Sequence, residues 1–291
     1  MTDFIQRFHF SDSPVRGEVV QLAETVMAVL DRHVYPERVQ SLLGEAAAAA
    51  VLLASTLKFE GSLILQVRGN GPLETLMVEC NHRLEVRAIA QVSDSWSEQA
   101  EHLSLSALFG NGQLAITIDP EKGERYQGIV PLDAPTLAGC LEHYFDQSEQ
   151  LPTRIWLVAG DDAAAGMLLQ VLPGHDEGDD ADIWPRLQQL TDTVRPDELL
   201  DLPVNELLYR LYNEEQVELH EANDVCFRCN CSRERTERVL VSLGEAELND
   251  ILAEQGVIDI TCQFCNQQYS FDAIDVAQMM RGGAGSSGRL H

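Results

Sequence analysis

Apolar side chains recur along residues 1–174 with two different periods. Alternation and short apolar runs predict strands over Gly17–Leu22, Ser62–Arg68, Leu73–Cys80, Leu84–Gln91, Gly112–Asp119, Arg154–Ala159 and Met167–Leu172. A helical period predicts helices over Glu24–His33, Pro36–Leu57 and Leu137–Phe145, with Pro36 suited to a first turn. The alanine-rich stretch from Glu45 to Ala54 reads as a core helix, and Gly69-Asn70-Gly71-Pro72 as a turn. The fold class expected is α+β: a mixed N-terminal domain over residues 1–174.

At Pro173 the pattern changes. Pro173 to Asp180 reads as a loop, and from there to Asp224 acids dominate, balanced only by Arg186, Arg195 and Arg210. The segment is nonetheless periodic. Ile183, Leu187, Leu190 and Val194 share one helical face; Leu207, Leu208, Leu211 and Tyr212 mark a second, started by Pro203. Val217 and Leu219 suggest a short strand. Helices this short are marginal in water, so their apolar faces need a partner. Residues 175–224 are therefore expected to form an acidic, metastable linker that folds when docked on a neighbour. An ordinary acidic helical subdomain is the competing reading.

Composition narrows the function. The 291 residues, 45% of them hydrophobic, allow a sizeable core. Twenty Lys and Arg against 47 Asp and Glu leave a net charge of −27, which disfavours nucleic acid and anionic membranes as partners. The longest apolar run, Ala46 to Ala54, is short for a membrane span, and MTDFIQRFHF has no signal-type apolar stretch. The chain is expected to be cytoplasmic, where thiols stay reduced.

Five of the seven cysteines fall in residues 225–291: Cys226, Cys229, Cys231, Cys262 and Cys265. Cys262 and Cys265 form a C-x-x-C; Cys229 pairs with Cys226 as C-x-x-C or with Cys231 as C-x-C. Two close-set pairs suit a tetrahedral thiolate site for zinc, with either Cys226 or Cys231 in the first half. A C-x-C can also close a small disulfide ring, so the site has a redox exit. Around it the pattern predicts a helix over Arg233–Leu243, a second opened by a Ser242-x-x-Glu245 capping box and ended at Gly256, and a hairpin of Val257–Thr261 with Gln268–Phe271. Asp272 is placed to cap a last helix to Met280, before a tail that reads as disordered. Arg228, Arg233, Arg235 and Arg238 lie beside the cysteines and offset thiolate charge. Cys80 and Cys140 read as core thiols. Gly69, Gly71, Gly110 and Gly112 lack the lysine and spacing of a phosphate loop, and no hydrolase, Walker or Rossmann pattern occurs. No enzyme is expected.

The segments CNCSRER (Cys229–Arg235), ILAEQGVIDITCQFC (Ile251–Cys265) and YSFDAIDV (Tyr269–Val276) resemble the signature of the bacterial 33 kDa heat-shock protein family, redox-regulated holdase chaperones. GNGPL, GNGQLAITIDP, ERYQGIV, LEHYFDQSEQLPT and GMLLQVLP extend the resemblance over nearly the whole chain. It implies Cys229, Cys231, Cys262 and Cys265 as ligands of one Zn2+ per chain, with Cys226 outside the set. It implies a switch in which oxidants form disulfides, zinc leaves, the linker unfolds and unfolded client proteins bind, with a homodimer in the oxidised state. The disulfides expected join Cys229 to Cys231 and Cys262 to Cys265; Ile183, Leu187, Leu190, Leu207 and Leu211 are the linker positions on which the switch would turn. The rivals are a zinc-ribbon adaptor without a switch and a thiol oxidoreductase.

Overall fold

The first strand is one that the periodicity did not predict. In a computed structural model, which describes residues 3–11, 13–58, 60–173 and 182–283, β1 (Phe4–Phe10) lies inside a five-stranded sheet. Most of the loop expected from Pro173 to Asp180, and the tail beyond Gly283, fall outside the described residues. The chain divides into two compact units, Met1–Arg228 and Cys229–His291, described separately below.

In the first unit β2 (Val15–Leu22), α1 (Glu24–Leu30) and α2 (Glu37–Thr56) follow β1. Next come β3 (Gly61–Arg68), β4 (Leu73–Asn81), β5 (Glu85–Val92), α3 (Leu105–Leu108), β6 (Gln113–Pro120) and β7 (Tyr126–Pro131). Then α4 (Leu137–Tyr144), β8 (Thr153–Ala159) and β9 (Ala164–Val171) lead to α5 (Ile183–Thr191), α6 (Pro196–Asp201), α7 (Val204–Tyr212), β10 (Val217–Asp224) and β11 (Cys226–Phe227). One sheet runs β10-β1-β2-β9-β8, all antiparallel. The other runs β11-β5-β4-β3-β6-β7, with β11 alone parallel to its neighbour.

Helix α2 lies between the sheets. Ala48, Ala49, Ala50, Val51 and Leu52 have no exposed surface, and they pack with Val20, Leu22 and Leu168 of one sheet and Leu63, Leu65 and Val78 of the other. By length and composition this helix meets the test for a membrane span that the Ala46–Ala54 run alone does not; its apolarity is that of a core helix mostly buried inside the protein. The glycines of the 69–72 turn have a packing role. A Cβ on Gly69 would stand 1.8 Å from the Phe109 carbonyl oxygen, which accepts from the N–H groups of Asn70 and Gly71 at 3.0 and 3.2 Å.

The five-stranded sheet is apolar on both faces. Along β2 and β9, Val20, Leu22, Ala164 and Leu168 face α2, whereas Val15, Val19, Ala165, Met167 and Leu169 face the other way with Phe8 and Phe10. Helices α5 to α7 cover that outer face. Leu187, Leu199, Leu207, Leu208, Leu211 and Tyr212 are buried on it; Ile183, Leu190 and Val194 pack at its margin. The partner that the acidic segment required is thus the outer face of a core sheet. Polar bonds fix the docking: Gln21 Nε2 donates to the carbonyls of Leu199 and Leu202, each at 2.9 Å, and Trp156 Nε1 donates to Asp192 at 3.0 Å. The strand expected near Val217 is longer than its sequence suggested and pairs along β1. α6 was not predicted; Pro196 starts it and Glu198 accepts from the Arg195 N–H.

Part of the segment's negative charge is offset within the fold. Each of its three arginines bridges acids: Arg186 reaches Glu215 at 2.7 Å, Arg195 reaches Asp197 at 3.0 Å, and Arg210 pairs with Glu198.

Asp3 ties the start of β1 to α1. Its buried carboxylate accepts from the N–H groups of Ala23, Glu24 and Thr25 at 2.7, 3.0 and 2.6 Å, capping α1 from a distant point in sequence.

The second unit comprises α8 (Arg233–Leu243), α9 (Glu245–Gln255), the hairpin of β12 (Ile258–Thr261) and β13 (Gln268–Phe271), and α10 (Ala273–Gly283). Its core is small: Leu240, Leu248, Ile258, Phe271 and Val276. Asp272 caps α10, accepting from the N–H groups of Ile274 and Asp275. The Ser242 capping box does not form. Ser242 still belongs to α8, its hydroxyl donates to the Val239 carbonyl, and Gly244 precedes α9 instead.

Candidate metal centre

Two local structures set the cysteines of the second unit. Ser232 caps α8, its hydroxyl accepting from the Arg235 N–H at 3.2 Å, which fixes the chain just after Cys231. Cys262 and Cys265 sit on the tight turn of the hairpin. There the Asn266 N–H donates to the Cys262 carbonyl at 2.8 Å and the Cys262 N–H to the Gln267 carbonyl at 2.9 Å. The turn needs a left-handed residue, and Asn266 supplies it at φ 59°.

The sulfurs of Cys229, Cys231, Cys262 and Cys265 all lie within 4.8 Å of one another. Among the described residues this is the one set of three or more His, Cys, Asp or Glu ligand atoms that converges. Cys229 Sγ stands 3.7 Å from Cys262 Sγ, and Cys231 Sγ 3.3 Å from Cys265 Sγ. Sulfurs at about 2.3 Å from a tetrahedral ion would be roughly 3.8 Å apart, so the cluster has the size of a four-thiolate metal site. None is at disulfide distance, and all seven cysteines are free thiols. Burial pushes the Cys265 thiol up, as do its three sulfur neighbours; the Gln267 N–H acts the other way. Four thiolates packed this closely repel one another, and a cation held among them would offset that charge.

Tyr269, on β13, donates its hydroxyl to Cys231 Sγ at 3.2 Å. That bond, above all, pushes its phenol up to about 12. The sequence reading missed this contact. Arg233 holds the same strand: Nη1 donates to the Ser270 carbonyl at 2.9 Å, Nη2 meets Asp275 at 2.8 Å, and the guanidinium lies 4.3 Å from the Phe271 ring centroid. Arg235 donates to the Asn230 carbonyl, and Arg228, in the first unit, pairs with Glu85 at 3.3 Å. Within the second unit, Arg233 and Arg235 thus brace backbone and a carboxylate beside the cysteines.

Cys226 is exposed on β11, which pairs with β5 in the first unit, and takes no part in the four-sulfur set. Cys80 and Cys140 are fully buried, as expected of core thiols, and burial pushes both up.

The family model described as Hsp33 protein matches residues 3–272. The chain belongs to the Hsp33 family. The family is one of chaperones, not of enzymes. Among its relatives, the 33 kDa chaperonin of Ectopseudomonas mendocina (strain ymp) is 51% identical over 98% of this chain and 97% of its own. That of Serratia proteamaculans (strain 568) is 47% identical over 99% of each chain. The crystal structure of the Thermotoga maritima 33 kDa chaperonin, a heat shock protein 33 homolog, superposes with a TM-score of 0.80. It covers 97% of this chain and 99% of that one at 22% identity, a likeness of fold.

Proposed function

We propose that the protein is a redox-regulated, ATP-independent holdase, inactive when reduced and zinc-bound, active when oxidised. The supporting observation is the apolar outer face of the β10-β1-β2-β9-β8 sheet. Phe8, Phe10, Val15, Val19, Met167 and Leu169 form a continuous patch, and the acidic segment that covers it runs on in sequence into the four-cysteine unit. Undocking α5 to α7 would bare that patch together with the helices' own apolar faces. Exposed apolar area of this kind binds other unfolded chains.

Cys229, Cys231, Cys262 and Cys265 hold Zn2+ in the reduced state. Bound there, zinc stabilises the four thiolates and contributes on the order of 10–16 kcal/mol to the folding of its module. Whole domains are stable by about 5–15 kcal/mol, and among its described residues this unit's core has five buried apolar side chains, so the fold depends on the bound ion. Under peroxide, one thiolate of each pair attacks a peroxide oxygen to give a sulfenic acid and hydroxide, and its neighbour then attacks the sulfenic sulfur, expelling a second hydroxide. The pair loses two electrons, forms one S–S bond, and both oxygens leave as water after taking up two protons. The pairs are Cys229–Cys231 and Cys262–Cys265, the closures with the shortest loops. With its thiolates gone the module loses its ion and its fold, and unfolding spreads into the segment that precedes it in the chain. Ile183, Leu187, Leu190, Leu207 and Leu211 then leave the sheet. Each oxidised copy carries an exposed patch, which favours a homodimer, and the net charge of −27 keeps client complexes dispersed. Such a switch belongs in a reducing compartment such as the cytoplasm.

The test is aggregation of an unfolding reporter protein, followed by light scattering with reduced and oxidised protein, while released zinc is measured in parallel. Suppression by the oxidised, zinc-free form alone supports the reading. Zinc retained under peroxide points to a non-switching adaptor, and catalytic disulfide reduction to an oxidoreductase.

A further inference from the structure

We infer that Tyr269 is the positioning residue that sets how readily the cysteine centre yields to oxidant, by donating its hydroxyl to Cys231. The inference rests on the zinc reading above and assigns a role to a side chain outside the ligand set. The bond joins the two halves of the site: Cys231 comes from the segment before α8, whereas Tyr269 lies on the hairpin that carries Cys262 and Cys265. Tyr269 faces its cross-strand partner Ile260, and Arg233 fixes the strand just beyond it through Ser270 and Phe271. The hydroxyl is therefore held at sulfur by a braced strand and packed ring.

A donor to a metal-bound thiolate acts in two ways. It orients the ligand, and it draws electron density from the sulfur, which lowers its nucleophilicity toward peroxide. Among the sulfurs, Cys265 has a backbone donor, the Gln267 N–H, which no side-chain substitution removes. Cys231 has a side-chain donor that one atom's deletion abolishes. Tyr269 is thus a point at which sequence can tune the centre's threshold without touching a ligand.

Tyr269→Phe removes the oxygen and keeps the ring. Outer partners of metal ligands are worth roughly 10–100-fold in affinity or activity, so the variant should release zinc to a fixed peroxide concentration about tenfold faster, and hold Zn2+ less tightly against a chromophoric chelator. Alkylation of the zinc-loaded protein with iodoacetamide, mapped by peptide mass, should rise at Cys231 relative to Cys262 in the same molecules. Fluorotyrosine at Tyr269, a stronger donor with the same ring, should slow release, and this arm remains decisive if the phenylalanine variant folds poorly. Unchanged zinc release, or equal acceleration at all four cysteines, overturns the inference and leaves the zinc reading standing. A wild-type protein that binds no zinc, or keeps it under peroxide, overturns both.

Discussion

Leu187 offers the sharpest perturbation of the docked segment. It lies on α5 with no exposed surface, packed among Phe8, Val19 and Met167 of the sheet's outer face and the α7 residues Leu208 and Leu211. Truncating a buried leucine to alanine costs about 2–5 kcal/mol. Glutamate adds an uncompensated polar group, and together these come to several kcal/mol. At about 4 kcal/mol the opening equilibrium shifts roughly a thousandfold. Segments that open locally have far less than the global stability to lose, so Leu187→Glu should leave the segment mostly undocked in the reduced protein. The four cysteines are untouched, and zinc should remain at one equivalent per chain. Light scattering of an aggregating reporter should then show holdase activity without oxidant, while hydrogen exchange shows α5 to α7 open and α8 to α10 protected. Tyr209→Glu, on an α7 residue 72% exposed, should change neither readout. A Leu187→Glu protein with full zinc and an open segment that still fails to hold the reporter would refute the idea that undocking suffices.

Other expectations follow from the same geometry. Cys226→Ser should keep one zinc per chain in a metal assay, whereas Cys231→Ser should lose it or bind it far more weakly; the reverse would reassign the ligand. Peptide mapping after full oxidation should find Cys229–Cys231 and Cys262–Cys265, with the more strained C-x-C bond the easier to reduce; a majority of Cys231–Cys265 or Cys229–Cys262 links would contradict the pairing. Trp156 bonds Asp192 at the end of α5, so activation should shift tryptophan emission to the red, and Trp156→Phe should diminish that shift.

The sequence carried the cysteine unit further than the rest. Its helix, hairpin and Asp272 cap are local signals, and the two short cysteine spacings need only one turn each. The Ser242 capping box failed because α8 runs on through Ser242, a boundary that the pattern alone does not set. β1 was missed because its apolar residues divide between two cores: Ile5 toward α2, Phe8 and Phe10 toward the docked helices. β7 was missed as well. Its Gly128 looks like a strand breaker, yet a Cβ there would stand 2.8 Å from the Tyr144 ring. That the acidic helices needed a partner was legible from their unmatched apolar faces. Which surface served was not, since strands far apart in sequence assemble it. The contact between Tyr269 and Cys231 was equally out of reach, because it depends on the register of a hairpin and not on spacing along the chain.

The central claim is that chemistry at four sulfurs undocks helices that precede them in the chain. Hydrogen exchange on the full-length protein, reduced with zinc and then oxidised with peroxide, tests it directly. The account predicts that peptides from α5 to α7 and from α8 to α10 lose protection together as zinc leaves, while α2 and the strands around it stay protected. A protein that holds clients after oxidation with α5 to α7 still protected on the sheet would contradict it.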